Sequence, residues 1–137
     1  MFIRAIARSV STLEQATLAD FINQGYFAAY IRQMQNLYNM RREMFCQTAK
    51  QTLSGLLDVD TPESGINTVG WLPVGTDDLE VYQAALVAGV YCLPLSMFRT
   101  RPSDNSGLLL GFVSTEEAEM KQKLTLLAAV LENSGVP

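Results

Sequence analysis

The apolar positions in residues 12–56 predict two helices separated by a glycine. The first helix begins near Thr12, whose side-chain oxygen suits a helix start, and Gly25 suits its C-terminal cap. Apolar residues then recur at steps of three, four or their multiples and predict a second helix from about Phe27 to Leu56. The predicted inner positions of the two helices are Leu13, Leu18, Phe21, Ile22, Ile31, Met34, Tyr38, Phe45, Ala49 and Leu53. The second helix would be about 45 Å long, so we expect it to kink or to contact a second body.

Three short apolar runs in the second half of the chain predict strands. Residues 66–73 and 90–95 contain β-favouring residues, and a proline ends or interrupts each run. Residues 108–113 are apolar throughout, which predicts a strand covered on both faces. Residues 58–64, which precede the first strand, are polar and predict a turn region.

Two more helices are predicted between and after these strands. Asp77 with Glu80, and Ser114 with Glu117, have the spacing of capping boxes, and Gly89 is expected to end the first of the two helices. Their predicted inner faces are Leu79, Tyr82, Ala85 and Leu86 for the first, and Met120, Leu124, Leu127 and Leu131 for the second. The predicted fold class is therefore α/β (α+β), with long N-terminal helices followed by a small sheet of about three strands covered by helices.

The first twelve residues form a separate predicted segment. Their apolar residues share one helical stripe: Phe2, Ile3, Ile6 and Val10. So short a helix cannot bury its own stripe, so we expect a partner surface in the rest of the chain or in another body. We divide the chain into a lead-in helix of residues 1–12, interpreted as a truncated connection to a missing large domain, and a small domain of residues 13–137.

Composition excludes several classes of function. The chain has 137 residues, 48% of them hydrophobic and 18% charged, which is typical of one globular domain. A net charge of −4 offers no basic surface for nucleic acid, and the absence of histidine excludes a histidine-based triad or zinc site. No apolar run is long enough to span a membrane. Cys46 and Cys92 lack metal or redox spacing and are interpreted as reduced, buried cysteines of a cytoplasmic protein.

Few residues suggest chemistry by themselves. The acidic clusters at 77–80 and 116–119 lie at predicted helix N-termini, where the helix dipole favours negative charge. Arg41 and Arg42 are interpreted as part of a solvated face. The lysines all lie at polar positions of predicted helices, which makes them poor Schiff-base candidates: Lys50, Lys121 and Lys123.

Two arginines are the strongest candidates for a binding site. Arg99 and Arg101 lie in a loop rich in proline, glycine and polar residues, just before the apolar run 108–113. Guanidinium groups bind a carboxylate through two parallel hydrogen bonds, so the pair suits a carboxylate ligand. The alternative interpretation is two ordinary arginines on a surface loop.

A resemblance to a known family begins in residues 13–45, which read LEQATLADFINQGYFAAYIRQMQNLYNMRREMF. This stretch resembles the C-terminal part of the MocR-type regulators, which are GntR-family transcription factors with a fold-type-I aminotransferase-like domain. Further landmarks follow in the family's order: Gly65 to Trp71 with Leu72-Pro73, Gly75 with Asp77-Asp78, Gly89-Val90, Pro94-Leu95-Ser96, and LLLGF at 108–112. The resemblance extends from Leu13 to about Glu132.

The resemblance implies the small C-terminal domain of a fold-type-I PLP-dependent transferase. In the family, the large domain binds pyridoxal 5′-phosphate and supplies the Schiff-base lysine, and a winged-helix domain binds DNA. The expected partners are therefore the missing large domain, a homodimer partner and an amino-acid-like effector, with no nucleic acid or membrane bound by this region. We expect the parent protein to be a cytoplasmic regulator that senses an amino compound, and this chain alone to be inactive and without cofactor.

The chain also departs from the family. Leu109 occupies the position where ordinary aminotransferases of this fold place a carboxylate-binding arginine, and Tyr26 and Tyr30 stand where the family often has histidines. An effector carboxylate would then be bound by Arg99 or Arg101, or that role is lost. Two alternatives stay open, namely a piece of a true PLP-dependent aminotransferase and a free-standing binding module.

Overall fold

The computed structural model of the chain describes residues 11–101 and 105–134. Its elements are, in order, α1 (Thr12–Asn23), α2 (Tyr26–Thr52), β1 (Asp58–Val59), β2 (Asn67–Trp71), α3 (Asp78–Val87), β3 (Leu93–Pro94), a 3₁₀ helix (Leu95–Phe98), β4 (Gly107–Gly111) and α4 (Glu117–Asn133). This composition confirms the predicted α/β (α+β) class. The apolar stripe predicted within residues 1–10 lies outside the described residues.

The chain divides into two compact units between residues 37 and 38. In the first unit, Gly25 separates α1 from α2 with a φ of 82°, a left-handed conformation that glycine adopts without strain. The rings of Phe21 and Tyr26 stack across this break, with centroids 5.9 Å apart. The helix start near Thr12 and the break at Gly25 are therefore confirmed. None of the residues of α1 is buried, so its predicted inner stripe faces outward in this chain.

The second unit contains one antiparallel sheet with the strand order β1-β2-β4-β3. Strands β2 and β4 pair over five residues, from Asn67 with Gly111 to Trp71 with Gly107. The two edge strands contain only two residues each. One of them, β1, lies within the segment that was predicted as a polar turn. Its residues Asp58 and Val59 pair with Trp71 and Gly70 of β2, so the turn prediction was wrong at these two positions.

Leu108 and Leu110 of β4, and Phe112 just after the strand, lie in the core of the second unit. The ring of Phe112 lies 5.6 Å from that of Phe45 on α2. Helices α2, α3 and α4 contribute most of the rest of this core: Phe45, Cys46, Ala49, Val81, Ala85, Met120, Leu124, Leu127, Ala128 and Leu131. Leu109 is only half-buried and lies outside this core, so the prediction that the strand is covered on both faces was wrong for this chain.

The two later helices differ in how well their patterns predicted the buried face. All four predicted positions of α4 are buried. In α3, Ala85 is buried as predicted, but Leu79 and Leu86 are 42% and 48% exposed and Val81 is buried instead. The apolar residues of α3 occur on all of its sides, so their spacing does not single out one face.

One of the two predicted helix caps is confirmed. The Asp77 carboxylate accepts a hydrogen bond from the Leu79 backbone N–H at 2.8 Å, which caps α3. The Ser114 capping box was wrong. Helix α4 begins later, with Glu116 at its N-cap and no side-chain capping bond.

The interpretation of Arg41 and Arg42 as a solvated face was also wrong, because both are half-buried. The guanidinium of Arg41 donates a hydrogen bond to the Val113 carbonyl, just after β4. Arg42 donates to the carbonyls of Pro62 and Glu63, at 3.3 and 2.7 Å. The two arginines therefore hold the second half of α2 to two loops of the second unit.

Candidate functional site

One carboxylate anchors the loop that carries the two candidate arginines. We use the term arginine loop for the described residues 96–101 and 105–107. Asp78, the first residue of α3, is 3% exposed. Its Oδ2 atom accepts hydrogen bonds from the backbone N–H groups of Ser96 and Gly107, at 3.0 and 3.4 Å. The two ends of the arginine loop thus meet on a single oxygen at the start of a helix.

Further hydrogen bonds hold the second end of the arginine loop. The Ser106 hydroxyl donates to the Thr76 carbonyl at 2.6 Å, and the Leu72 backbone N–H donates to the Ser106 carbonyl at 3.0 Å. The Arg99 guanidinium donates to the carbonyl of Asn105 within the loop. The segments before α3, after β3 and before β4 are therefore linked at one place.

A pocket of about 420 Å³ opens beside these bonds. Its lining includes the guanidinium-bearing Arg99, the carboxylate-bearing Asp77 and Asp78, and the hydroxyl-bearing Thr76, Ser96 and Ser106. The volume lies within the range of about 300–1,000 Å³ that is typical of small-ligand sites. Positive and negative groups on one pocket suit a small ligand that carries both charges.

The structure gives the two candidate arginines different surroundings. Arg99 is half-buried and lines the pocket. Arg101 is exposed and is not among the lining residues. The geometry therefore favours Arg99 as the group that would meet a carboxylate.

The lysines do not form a site for pyridoxal phosphate. A Schiff-base lysine needs a desolvated position or a neighbouring cation. Lys50 is exposed, and Lys121 is 58% exposed and pairs with Glu117 at 2.6 Å. Lys123 donates to the Gly89 carbonyl at 2.6 Å, beside the C-terminus of α3, where a cation is favourable. The lysines of this chain therefore do not fit the cofactor of fold-type-I transferases.

Leu109 lies at a different place from the arginine loop pocket. It pairs with Val69 of β2 and Leu93 of β3, which gives the half-covered sheet face a row of three apolar side chains. Leu109 also lines a second pocket of about 400 Å³. Cys92 lies in the wall of that pocket, and burial raises the pKa of its thiol from 9.0 to about 11. Cys92 is thus an unreactive thiol at neutral pH, in line with its interpretation as a reduced, buried cysteine.

Sequence reasoning found Arg99 but missed its anchor. Apart from its place among the family's landmarks, Asp78 was interpreted as an acidic residue at a helix N-terminus. Its two backbone donors lie 18 and 29 positions away, so no local spacing indicates the contact. The sequence offered one signal: two aspartates stand side by side at the start of α3, and a helix cap needs only one of them.

Within residues 11–101 and 105–134, no three cysteine, aspartate or glutamate side chains are arranged so that they could hold a metal ion. None of the described helices is both long and apolar enough to cross a membrane.

Comparison with known proteins places the chain in a family. The chain is 32% identical over 128 residues to the probable rhizopine catabolism regulatory protein MocR of Rhizobium meliloti, covering 91% of this chain and 26% of the relative. It is 25% identical over 135 residues to an uncharacterised HTH-type transcriptional regulator of Bacillus subtilis, YhdI, covering 96% of this chain and 29% of that protein. The chain corresponds to the aminotransferase-like C-terminal part of a MocR-type regulator. No protein-family model matches it.

Solved structures of aminotransferases agree with this family assignment at the level of the fold. Its fold is similar to that of LysN, an α-aminoadipate aminotransferase of Thermus thermophilus, with a TM-score of 0.77, 14% identity, and coverage of 85% of this chain and 30% of that one. It is also similar to a multiple substrate aminotransferase of Thermococcus profundus, with a TM-score of 0.76, 20% identity, and coverage of 83% and 28%. This chain spans about a quarter to three tenths of the length of the two regulators and the two aminotransferases.

Proposed function

We propose that this chain is the small domain of a MocR-type regulator that senses an amino compound, and that the arginine loop pocket contacts the compound. One observation carries the proposal: Arg99 and Asp77 line the same pocket and have opposite charges. An amino acid carries a carboxylate and an ammonium group. Arg99 offers paired donors to the first, and the Asp77 carboxylate attracts the second.

The surroundings of Arg99 favour binding over a purely structural role. Its guanidinium has five N–H donors in a planar fork, and the hydrogen bond to the Asn105 carbonyl involves one nitrogen, Nη1. Half-burial reduces the competition from water, and the anchored loop reduces the entropy lost on binding. Pyridoxal 5′-phosphate would be bound by the large domain of the parent protein, and the small domain would contribute Arg99.

A substitution series in the full-length regulator tests this proposal. The probes are L-amino acids, each compared with its decarboxylated amine, and the measurement is calorimetric affinity. Arg99→Gln is expected to weaken binding of a responsive amino acid about tenfold or more, because hydrogen bonds to charged groups contribute about 1.5–3 kcal/mol. Binding of the matching amine should change little, since it has no carboxylate.

Arg101→Gln is the matched control, because it removes the same charge from the same loop at an exposed position. It is expected to leave the affinity within about threefold, as surface substitutions usually change free energies by no more than about 0.5 kcal/mol. An amino acid that binds the Arg99→Gln variant and the unmodified protein equally well would rule out the pocket as the carboxylate site. A larger loss with Arg101→Gln than with Arg99→Gln would move the contact to Arg101.

A further inference from the structure

We infer that Asp78 is a positioning residue, whose buried carboxylate sets the place of Arg99 in the pocket. The importance of Arg99 rests on the proposed function, whereas the control of the loop by Asp78 rests on geometry alone. Asp78 touches no ligand in this scheme. It acts through the backbone of the arginine loop.

The first support is the convergence of two distant segments on one atom. The Ser96 N–H lies in the 3₁₀ helix after β3, and the Gly107 N–H begins β4. Both donate to Oδ2 of Asp78, at 3.0 and 3.4 Å. A carboxylate is a stronger acceptor than a neutral group, and at 3% exposure water does not readily replace it.

The second support is the position of Arg99 between the two anchored ends. Its backbone N–H donates to the Ser96 carbonyl at 3.3 Å, and its guanidinium donates to the Asn105 carbonyl. Arg99 is therefore linked by one hydrogen bond to Ser96, which is anchored, and by another to Asn105, two residues before the anchored Gly107. If Asp78 loses its acceptor oxygen, both ends are released and Arg99 loses its fixed place.

The test compares Asp78→Ala and Asp78→Asn in this chain, without any effector. Amide hydrogen exchange is measured at Ser96 and Gly107, and phenylglyoxal modification of arginines is followed by peptide mass spectrometry. Asp78→Ala is expected to speed exchange at both amides about tenfold and to raise the modification rate of Arg99. Asp78→Asn keeps an acceptor oxygen, so a smaller change in the same direction is expected.

Two controls separate local release from general loosening. Arg101 is exposed already, so its modification rate should stay constant in every variant. Asp77→Asn keeps the cap of α3 and should leave the Ser96 and Gly107 amides protected.

Unchanged exchange and unchanged Arg99 modification in folded Asp78→Ala would overturn the inference. If Asp78→Ala does not fold, Asp78→Asn decides. An increase in exchange rate over the unmodified chain that is larger at Ser96 and Gly107 than at the amides of β2 supports the inference. An equal increase at all of these amides overturns it. Because neither readout uses an effector, failure of the amino-acid experiment leaves this result unaffected. The reverse also holds, since Arg99 can bind a carboxylate without control by Asp78.

Discussion

Substitution of Gly107 by alanine is expected to destabilise the second unit at the point where the sheet meets the arginine loop. An added Cβ atom would lie 2.8 Å from the Gly70 carbonyl oxygen and 2.9 Å from Cδ1 of Leu95. The Leu95 side chain can rotate away. The Gly70 carbonyl cannot move as easily, because Gly70 belongs to β2, which pairs with β4 along its whole length.

The magnitude follows from the cost of overpacking a well-packed interior, which is about 1–3 kcal/mol. A loss of about 2 kcal/mol lowers the urea midpoint by roughly 1 M at an m-value near 2 kcal/mol per M. Trp71 is the only tryptophan and pairs directly with Gly107, so its fluorescence reports on this region. Far-UV circular dichroism should give the same midpoint if the unit unfolds in one step.

Gly111→Ala is the matched control, because it places the same methyl group at the other end of the same strand. Its Cβ would meet only the Asn67 side-chain oxygen, at 3.1 Å, and Gly111 is exposed. We expect a change within about 0.5 kcal/mol. Equal midpoints for Gly107→Ala and the unmodified chain would refute the steric reasoning. An equal loss in both variants would show that β4 tolerates no side chain at either end, irrespective of the contacts.

Two further predictions concern pH and association. In the unfolded chain the Cys92 thiol ionises near 9.0, and in the folded chain near 11. The folded state therefore holds an extra proton between these values, and stability should fall as pH rises from 9 to 11, by at most about 3 kcal/mol. Urea midpoints at pH 8 and 10 should differ less in Cys92→Ala than in the unmodified chain, and an equal difference would contradict the assignment. The isolated chain is also expected to self-associate, since Leu13 and Tyr26 are 77% and 58% exposed; light scattering that shows a monomer at high concentration would contradict this.

The sequence predicted elements well where one physical requirement dominated the pattern. The buried face of α4 follows a regular 4-3-4 spacing from Met120 to Leu131, and every position in it is buried. The Gly25 break was also clear, because a left-handed residue between two apolar helices favours glycine. By contrast, the inner stripe of α1 was real as a pattern but is exposed in this chain. The spacing of apolar residues shows which side of a helix is hydrophobic. It does not show which surface, if any, packs against that side.

The candidate site shows the same limit for polar residues. Arg99 and Arg101 were found together because residue type and loop composition are local properties. What distinguishes them is burial, and burial depends on how the arginine loop is fixed. That depends on Asp78, whose neighbour Asp77 already caps α3 and so gives the pair a sufficient local explanation. The two backbone donors of this buried carboxylate come from distant segments, so the contact can be recognised only when the pairing of β3 with β4 is known. Asp78, which fixes the arginine loop, therefore lies directly beside a helix cap that is enough to explain two acidic residues at this place in the sequence.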